Sequence, residues 1–168
     1  KVRDKDAPAS ICLICEIAAW AKDNGRTLYD LLMDIYVDYG FSKEFTVNVV
    51  KPGKTGADAI KQMMADFRSN PPKELGGSKI VLWKDYQTLE ATDENGNVTK
   101  LDMPTTSNVL QWFCNDGTKV SVRPSGTEPK IKFYIEVKDN TMKCAGCYDS
   151  CCKAGEEKIE AIKKSLNL

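Results

Sequence analysis

The chain has 168 residues, 42% of them hydrophobic and 29% charged, with 24 Lys and Arg balanced by 24 Asp and Glu. A balanced formal charge supplies no global field for nucleic acid or an anionic membrane, so any anion site must be local. No apolar run approaches the ~18 residues that span a bilayer, and no signal peptide is in view. With 7 Cys and no His, the chain reads as a reduced, cytoplasmic protein. It lacks Ser-His and Cys-His nucleophile pairs, HExxH zinc sites and any imidazole base.

Either Asp4 or Asp6 caps a first helix that runs to about Lys22, with Pro8 in its first turn, where a missing N–H costs little. Ile11, Ile14, Cys15, Ala18 and Ala19 recur at helical spacing, and Ile17 and Trp20 widen the stripe. Cys12 and Cys15 read as helix core. Asn24-Gly25 is a stop signal, and Thr27 caps a second helix carrying Leu28, Leu31, Leu32, Ile35 and Tyr36 on one face, ended by Tyr39-Gly40. Two striped helices need a surface to cover, most simply a sheet. None precedes them, so residues 1–40 are expected to be the helical tail of a larger α/β domain.

Residues 45–50 read as a strand, with Val47, Val49 and Val50 β-branched. Lys51-Pro52-Gly53 turns the chain into a helix over 56–67, with Ile60, Met63, Met64 and Phe67 on one face, and Asn70-Pro71-Pro72 stops it. Gly53-Lys54-Thr55 is not a nucleotide loop. A P-loop needs glycine five residues earlier, and Asn48 stands there; the tripeptide reads as a helix start. Residues 79–86 form a strand, which 87–91 continue or pair with. Asn95-Gly96 marks a hairpin. A strand over 108–114 turns at Asn115-Asp116-Gly117 into 118–122, and 131–137 alternate as a further strand. An amphipathic helix runs from Tyr148 or Asp149 to Leu166, with Ile159, Ile162 and Leu166 inward and alternating acids and lysines from Glu156 to Lys164 on a solvated face. The order implies an α+β fold: an antiparallel sheet with helices packed on one face over 41–168, preceded by the two helices of a truncated α/β domain.

Cys144-x-x-Cys147 with Cys151 and Cys152 places four thiols in nine residues. Structural zinc sites join two separated pairs; an adjacent second pair on a helix strains that geometry. The cluster reads as packed or loop thiols, with a metal or redox role left open. Met63, Met64 and Met142 read as packing residues.

The bend Arg123-Pro124-Ser125-Gly126-Thr127-Glu128-Pro129-Lys130 joins two of the strands. It is a tight turn or a phosphate cradle. Gly126 lets the backbone approach closely or take φ > 0, and successive amides can form an anion-binding nest. Ser125 and Thr127 add hydroxyl donors. Arg123 offers a planar two-point grip, and the prolines reduce the ordering entropy lost on binding.

This string, followed by Ile131-Lys132-Phe133-Tyr134, resembles the C-terminal-domain loop of the α-D-phosphohexomutases, the phosphoglucomutase/phosphomannomutase superfamily. The resemblance implies that Arg123, Ser125, Gly126 and Thr127 contact the substrate phosphate. Lys132, where relatives often carry Arg, and Lys130 add charge. In Arg3-Asp4-Lys5-Asp6, Lys5 matches a sugar-contacting lysine. The implied partners are glucose or mannose 1- and 6-phosphates and the upstream domains of the same chain, not nucleic acid or membrane. The implied cofactors are Mg²⁺, held upstream, and an activator of the glucose 1,6-bisphosphate type. A chain without His lacks the family's T-A-S-H-N-P serine loop, and the D-x-D-x-D-R metal loop is also absent. The expectation is therefore a C-terminal portion, inactive alone, whose sugar preference is set elsewhere; Lys-Ile-Lys-Phe-Tyr leans toward the phosphoglucomutase/phosphopentomutase branch. The alternatives are a stand-alone phosphate-binding module and a non-catalytic structural domain.

Overall fold

The computed structural model describes residues 5–168, so Arg3 and Asp4 lie outside the described residues. The chain forms two compact units. One takes the chain up to Phe41 together with Asp139–Cys151; the other comprises Ser42–Lys138 and Cys152–Leu168.

In the first unit, α1 (Ala7–Asp23) starts at Asp6, whose carboxylate accepts the Ala9 amide at 3.0 Å. Helix α2 (Leu28–Tyr39) opens with a reciprocal cap between Thr27 and Asp30 and closes at Gly40. That position has φ of 95°, and a Cβ there would come within 2.4 Å of the Asn140 side chain, so only glycine fits. Tyr36 and Tyr148 stack at 6.1 Å, with Tyr29 and Phe41 edge-on to Tyr148. The expected apolar stripes are present but largely uncovered: Ile11 is 60% and Ile35 51% exposed, and Trp20, Leu28 and Leu32 are exposed too. Cys12 and Cys15 are likewise exposed rather than core. Ala21 and Met33 are the buried positions of these helices. Helical spacing fixes which residues share a face, but burial also needs a partner.

The second unit is built on a sheet in the order β1-β8-β7-β6-β3-β4-β5, with β2 pairing to β3. Its strands are β1 (Phe41–Val50), β2 (Glu74–Leu75), β3 (Ser78–Asp85), β4 (Glu90–Asp93), β5 (Val98–Lys100), β6 (Leu110–Cys114), β7 (Lys119–Pro124) and β8 (Lys130–Asp139). From β2 through β8 every paired register is antiparallel. Strict alternation builds the core. Leu110, Trp112 and Cys114 of β6, Val120 and Val122 of β7, and Ile131, Phe133, Ile135 and Val137 of β8 are buried. They pack under Ile60 and Met64 of α3 (Gly53–Ser69) and Ile159 and Ile162 of α4 (Tyr148–Ser165). Phe67 meets Trp112 edge-on at 5.1 Å. The fold is the expected α+β arrangement, with α3 and α4 on one face of the antiparallel sheet.

Gly53 opens α3, as a helix start should. Residues 87–91 do not continue β3. Leu89 takes φ of 60° in a turn, and the chain returns as β4. Asp93 accepts the amides of Asn95 and Asn97, both at 2.9 Å, and so closes the Asn95-Gly96 hairpin. Among the described residues no helix is long and apolar enough to cross a membrane.

Lys158, on the supposedly solvated α4 face, is half-buried. Lys158 Nζ donates to the Gly76 carbonyl at 3.0 Å and to Ser78 Oγ, and lies 3.0 Å from Asp116. Ser78 and the Thr118 amide also donate to Asp116, at 2.5 and 3.0 Å. Burial pushes the Asp116 carboxyl up, but the Ser78 hydroxyl, the Thr118 amide and Lys158 outweigh it and hold it at about 2, against an ordinary 3.8. A carboxyl depressed by folding stabilises the native state above its unfolded pKa, and that contribution fades as pH falls toward the folded value. Discounted for the carboxylate's exposure, wild type should lose about 1–2 kcal/mol more stability than Asp116→Asn between about pH 4 and pH 2. Identical acid limbs in denaturant unfolding would contradict this.

Candidate functional site

The core alternation that builds β7 and β8 also builds the site. Val122 pairs with Phe133 and Val120 with Ile135, both pairs inward, so the alternate pairs Ser121–Tyr134 and Arg123–Lys132 face away from the core. Arg123 therefore sits directly across from Lys132. Like charges in directly opposed positions destabilise a strand pair. Among the described residues, neither side chain makes a hydrogen bond or an ion pair.

The bend between the strands is ordered by its own backbone. The Ser125 amide donates to the Lys130 carbonyl at 2.8 Å, and the Lys130 amide to that of Glu128 at 2.7 Å. The Lys51 amide, at the end of β1, donates to the Pro129 carbonyl at 2.9 Å. Within the bend, the Thr127 and Glu128 amides converge on Ser125 Oγ at 3.4 and 3.3 Å. These are long bonds, which a stronger acceptor could replace. Gly126 is not left-handed, so the φ > 0 option is not used. A Cβ there would meet nothing within 4 Å, which leaves the space over the backbone open.

Arg123, Ser125, Gly126, Thr127, Lys130 and Lys132 all line one concavity of about 450 Å³, together with Pro124, Glu128 and Tyr134. Glu128 and Tyr134 are additions to the expected set. Tyr134 was legible from the outward register of β8, two residues beyond Lys132. Glu128 stands inside the motif itself and forms an ion pair with Lys130. The Lys130 hydrogen bond and charge, with Lys132 further off, hold its carboxyl below the usual range against slight desolvation. A second hollow, of about 550 Å³, lies on the α3 side of the same bend, lined by Ala57, Ile60, Lys61, Met64 and Asn108 among others. The bend is thus a wall with open space on both sides, not a plugged turn. Lys5 is exposed ahead of α1 and belongs to the other unit. No group of three or more His, Cys, Asp or Glu is placed to hold a metal among the described residues. The described residues thus offer no such set of ligands for Mg²⁺.

The described fold is thus an antiparallel α+β layer carrying a cationic strand-to-strand bend. The phosphoglucomutase/phosphomannomutase C-terminal domain matches residues 47–143, and the chain belongs to this family. The phosphoglucomutase of Staphylococcus aureus strain MRSA252 is 39% identical over 138 residues, which covers 82% of this chain and 25% of the relative. That of Staphylococcus epidermidis strain ATCC 35984 is 37% identical over 137 residues, covering 81% and 25%. The chain therefore spans about a quarter of the length of these relatives. The open-form crystal structure of the Paramecium phosphoprotein pp63/parafusin, a phosphoglucomutase, superposes with a TM-score of 0.51 at 17% identity. It covers 98% of this chain and 28% of that one; at that identity the likeness concerns the fold.

If Arg123 serves a ligand rather than the fold, removing it should not cost stability. In anion-free buffer, Arg123→Ala should unfold at the wild-type free energy or up to about 0.5 kcal/mol above it, as the repulsion with Lys132 is relieved. A loss above about 1 kcal/mol in denaturant titration would make Arg123 a structural residue.

Proposed function

We propose that this chain supplies the phosphate-anchoring part of a phosphosugar mutase that moves phosphate between the C1 and C6 positions of a hexose through a bisphosphate intermediate. The observation that carries this reading is the pair of opposed cations, Arg123 and Lys132, without a hydrogen-bond or ion-pair partner among the described residues, beside an open bend rich in donors. A phosphate dianion placed there relieves their repulsion. It accepts from the guanidinium in two-point fashion and offers the Thr127 and Glu128 amides a better acceptor than Ser125 Oγ. The Ser125 and Thr127 hydroxyls then complete the shell. Each charge-assisted hydrogen bond contributes about 1.5–3 kcal/mol. Lys130 joins the shell by leaving Glu128.

Holding the phosphate that is not being transferred fixes the far hydroxyl of the sugar against the reacting group, which is catalysis by positioning. The substrates are glucose or mannose 1- and 6-phosphates, with Lys5 a candidate sugar contact. The phosphoserine and Mg²⁺ belong to upstream domains of the full enzyme, and an activator of the glucose 1,6-bisphosphate type primes it. This chain alone binds phosphate without turnover and works in the cytoplasm, where phosphosugars are handled. The match over 82% of this chain to a quarter of a longer phosphoglucomutase supports the reading.

In the full-length enzyme, Arg123→Ala should cost about 2–5 kcal/mol in transition-state binding, read from kcat/KM. An unchanged kcat/KM would remove Arg123 from the reaction.

A further inference from the structure

The thiols of the first unit are not equivalent. Cys12 and Cys15 share the CxxC spacing of Cys144 and Cys147, but the first pair lies within α1, where both are free and exposed. The second pair brackets a short 3₁₀ turn, Ala145–Cys147, that leads directly into α4. There the two Sγ atoms lie 3.1 Å apart. A disulfide needs about 2.05 Å, so closing the bond requires the sulfurs to approach by about 1 Å. Cys144 is exposed and Cys147 half-buried, so both are reachable from solvent, whereas Cys151, one helical turn further on, is buried.

We propose that Cys144 and Cys147 form a dithiol modification site that exchanges with small-molecule disulfides and closes to an internal disulfide. Cys147 is the attacking sulfur. The Cys144 thiol hydrogen-bonds to it, nearby backbone amides add to that bond, and its pKa is lowered accordingly. The N-terminus of α4 begins at the next residue, where negative charge is favoured. Cys151 is the poorer nucleophile: burial raises it, and the Asp139 charge raises it further. Cys147 as thiolate attacks one sulfur of the incoming disulfide and expels the other as a thiolate, which takes up the proton Cys147 released. A mixed disulfide remains. Cys144 then gives up its proton and attacks the Cys147 sulfur, expelling the second small thiolate, which becomes a thiol. Two electrons and two protons leave the protein, and one disulfide becomes two thiols. The new bond ties down the turn next to Tyr148, whose ring packs with Tyr29, Tyr36 and Phe41.

The test is incubation with glutathione disulfide in a background where the exposed Cys12 and Cys15 are replaced by Ser, followed by intact mass and thiol counting. Of the five remaining thiols two should disappear, with the loss of two hydrogens and no retained glutathione. With Cys144→Ser added, one glutathione should stay on Cys147. With Cys147→Ser added, no internal disulfide should form. The site is overturned if the parent keeps glutathione without losing two hydrogens, if it does not react, or if an internal disulfide still forms in either single variant.

Discussion

The arrangement turns on one constraint of β-structure. Because side chains alternate across a strand, the residues that bury Val120, Val122, Ile131, Phe133 and Ile135 on one face must present Ser121, Arg123, Lys132 and Tyr134 on the other. The register that seals the core thus forces Arg123 and Lys132 into opposition. A sheet selected for stability alone would place opposite charges or neutral residues there. The cost is small on the scale of a whole domain, and a doubly charged ligand reverses its sign. The site's electrostatics and the core's packing are two consequences of the same pairing.

The bend adds the second half of the logic. Pro124 and Pro129 restrict it, and its own amides close it through Ser125, Glu128 and Lys130. Under the proposed function this internal bonding would limit the ordering cost of binding. Glu128 gives Lys130 a counter-ion within the bend itself. Under the proposed function an anion would have to compete with that carboxylate, which would favour a dianion able to engage several donors together over a weak monoanion.

Much of this was legible in the sequence because the signals are local. Asp6, Thr27 with Asp30, Asn95-Gly96 and the alternation over 131–137 each determine their own neighbourhood. The six loop residues converge because they are nearly consecutive in the chain. What could not be read depends on partners distant in sequence. The exposure of Ile11, Cys12 and Cys15 follows from the lack of a covering surface, which periodicity does not report. Lys158 looked like one more charge on a solvated face, yet Ser78 and Asp116, about 80 and 40 residues away, draw it into a half-buried network. Two-residue β2 is too short to leave a pattern, and the opposition of Arg123 and Lys132 required the register.

Titrating the isotope-labelled chain with inorganic phosphate, following amide shifts by NMR, tests the central claim most directly. The account predicts saturable shifts concentrated at Ser125, Gly126, Thr127 and Glu128. They should weaken as salt is raised and vanish in the Arg123→Ala variant. Shifts that are absent, spread evenly over the sheet, or unchanged without the guanidinium would contradict it.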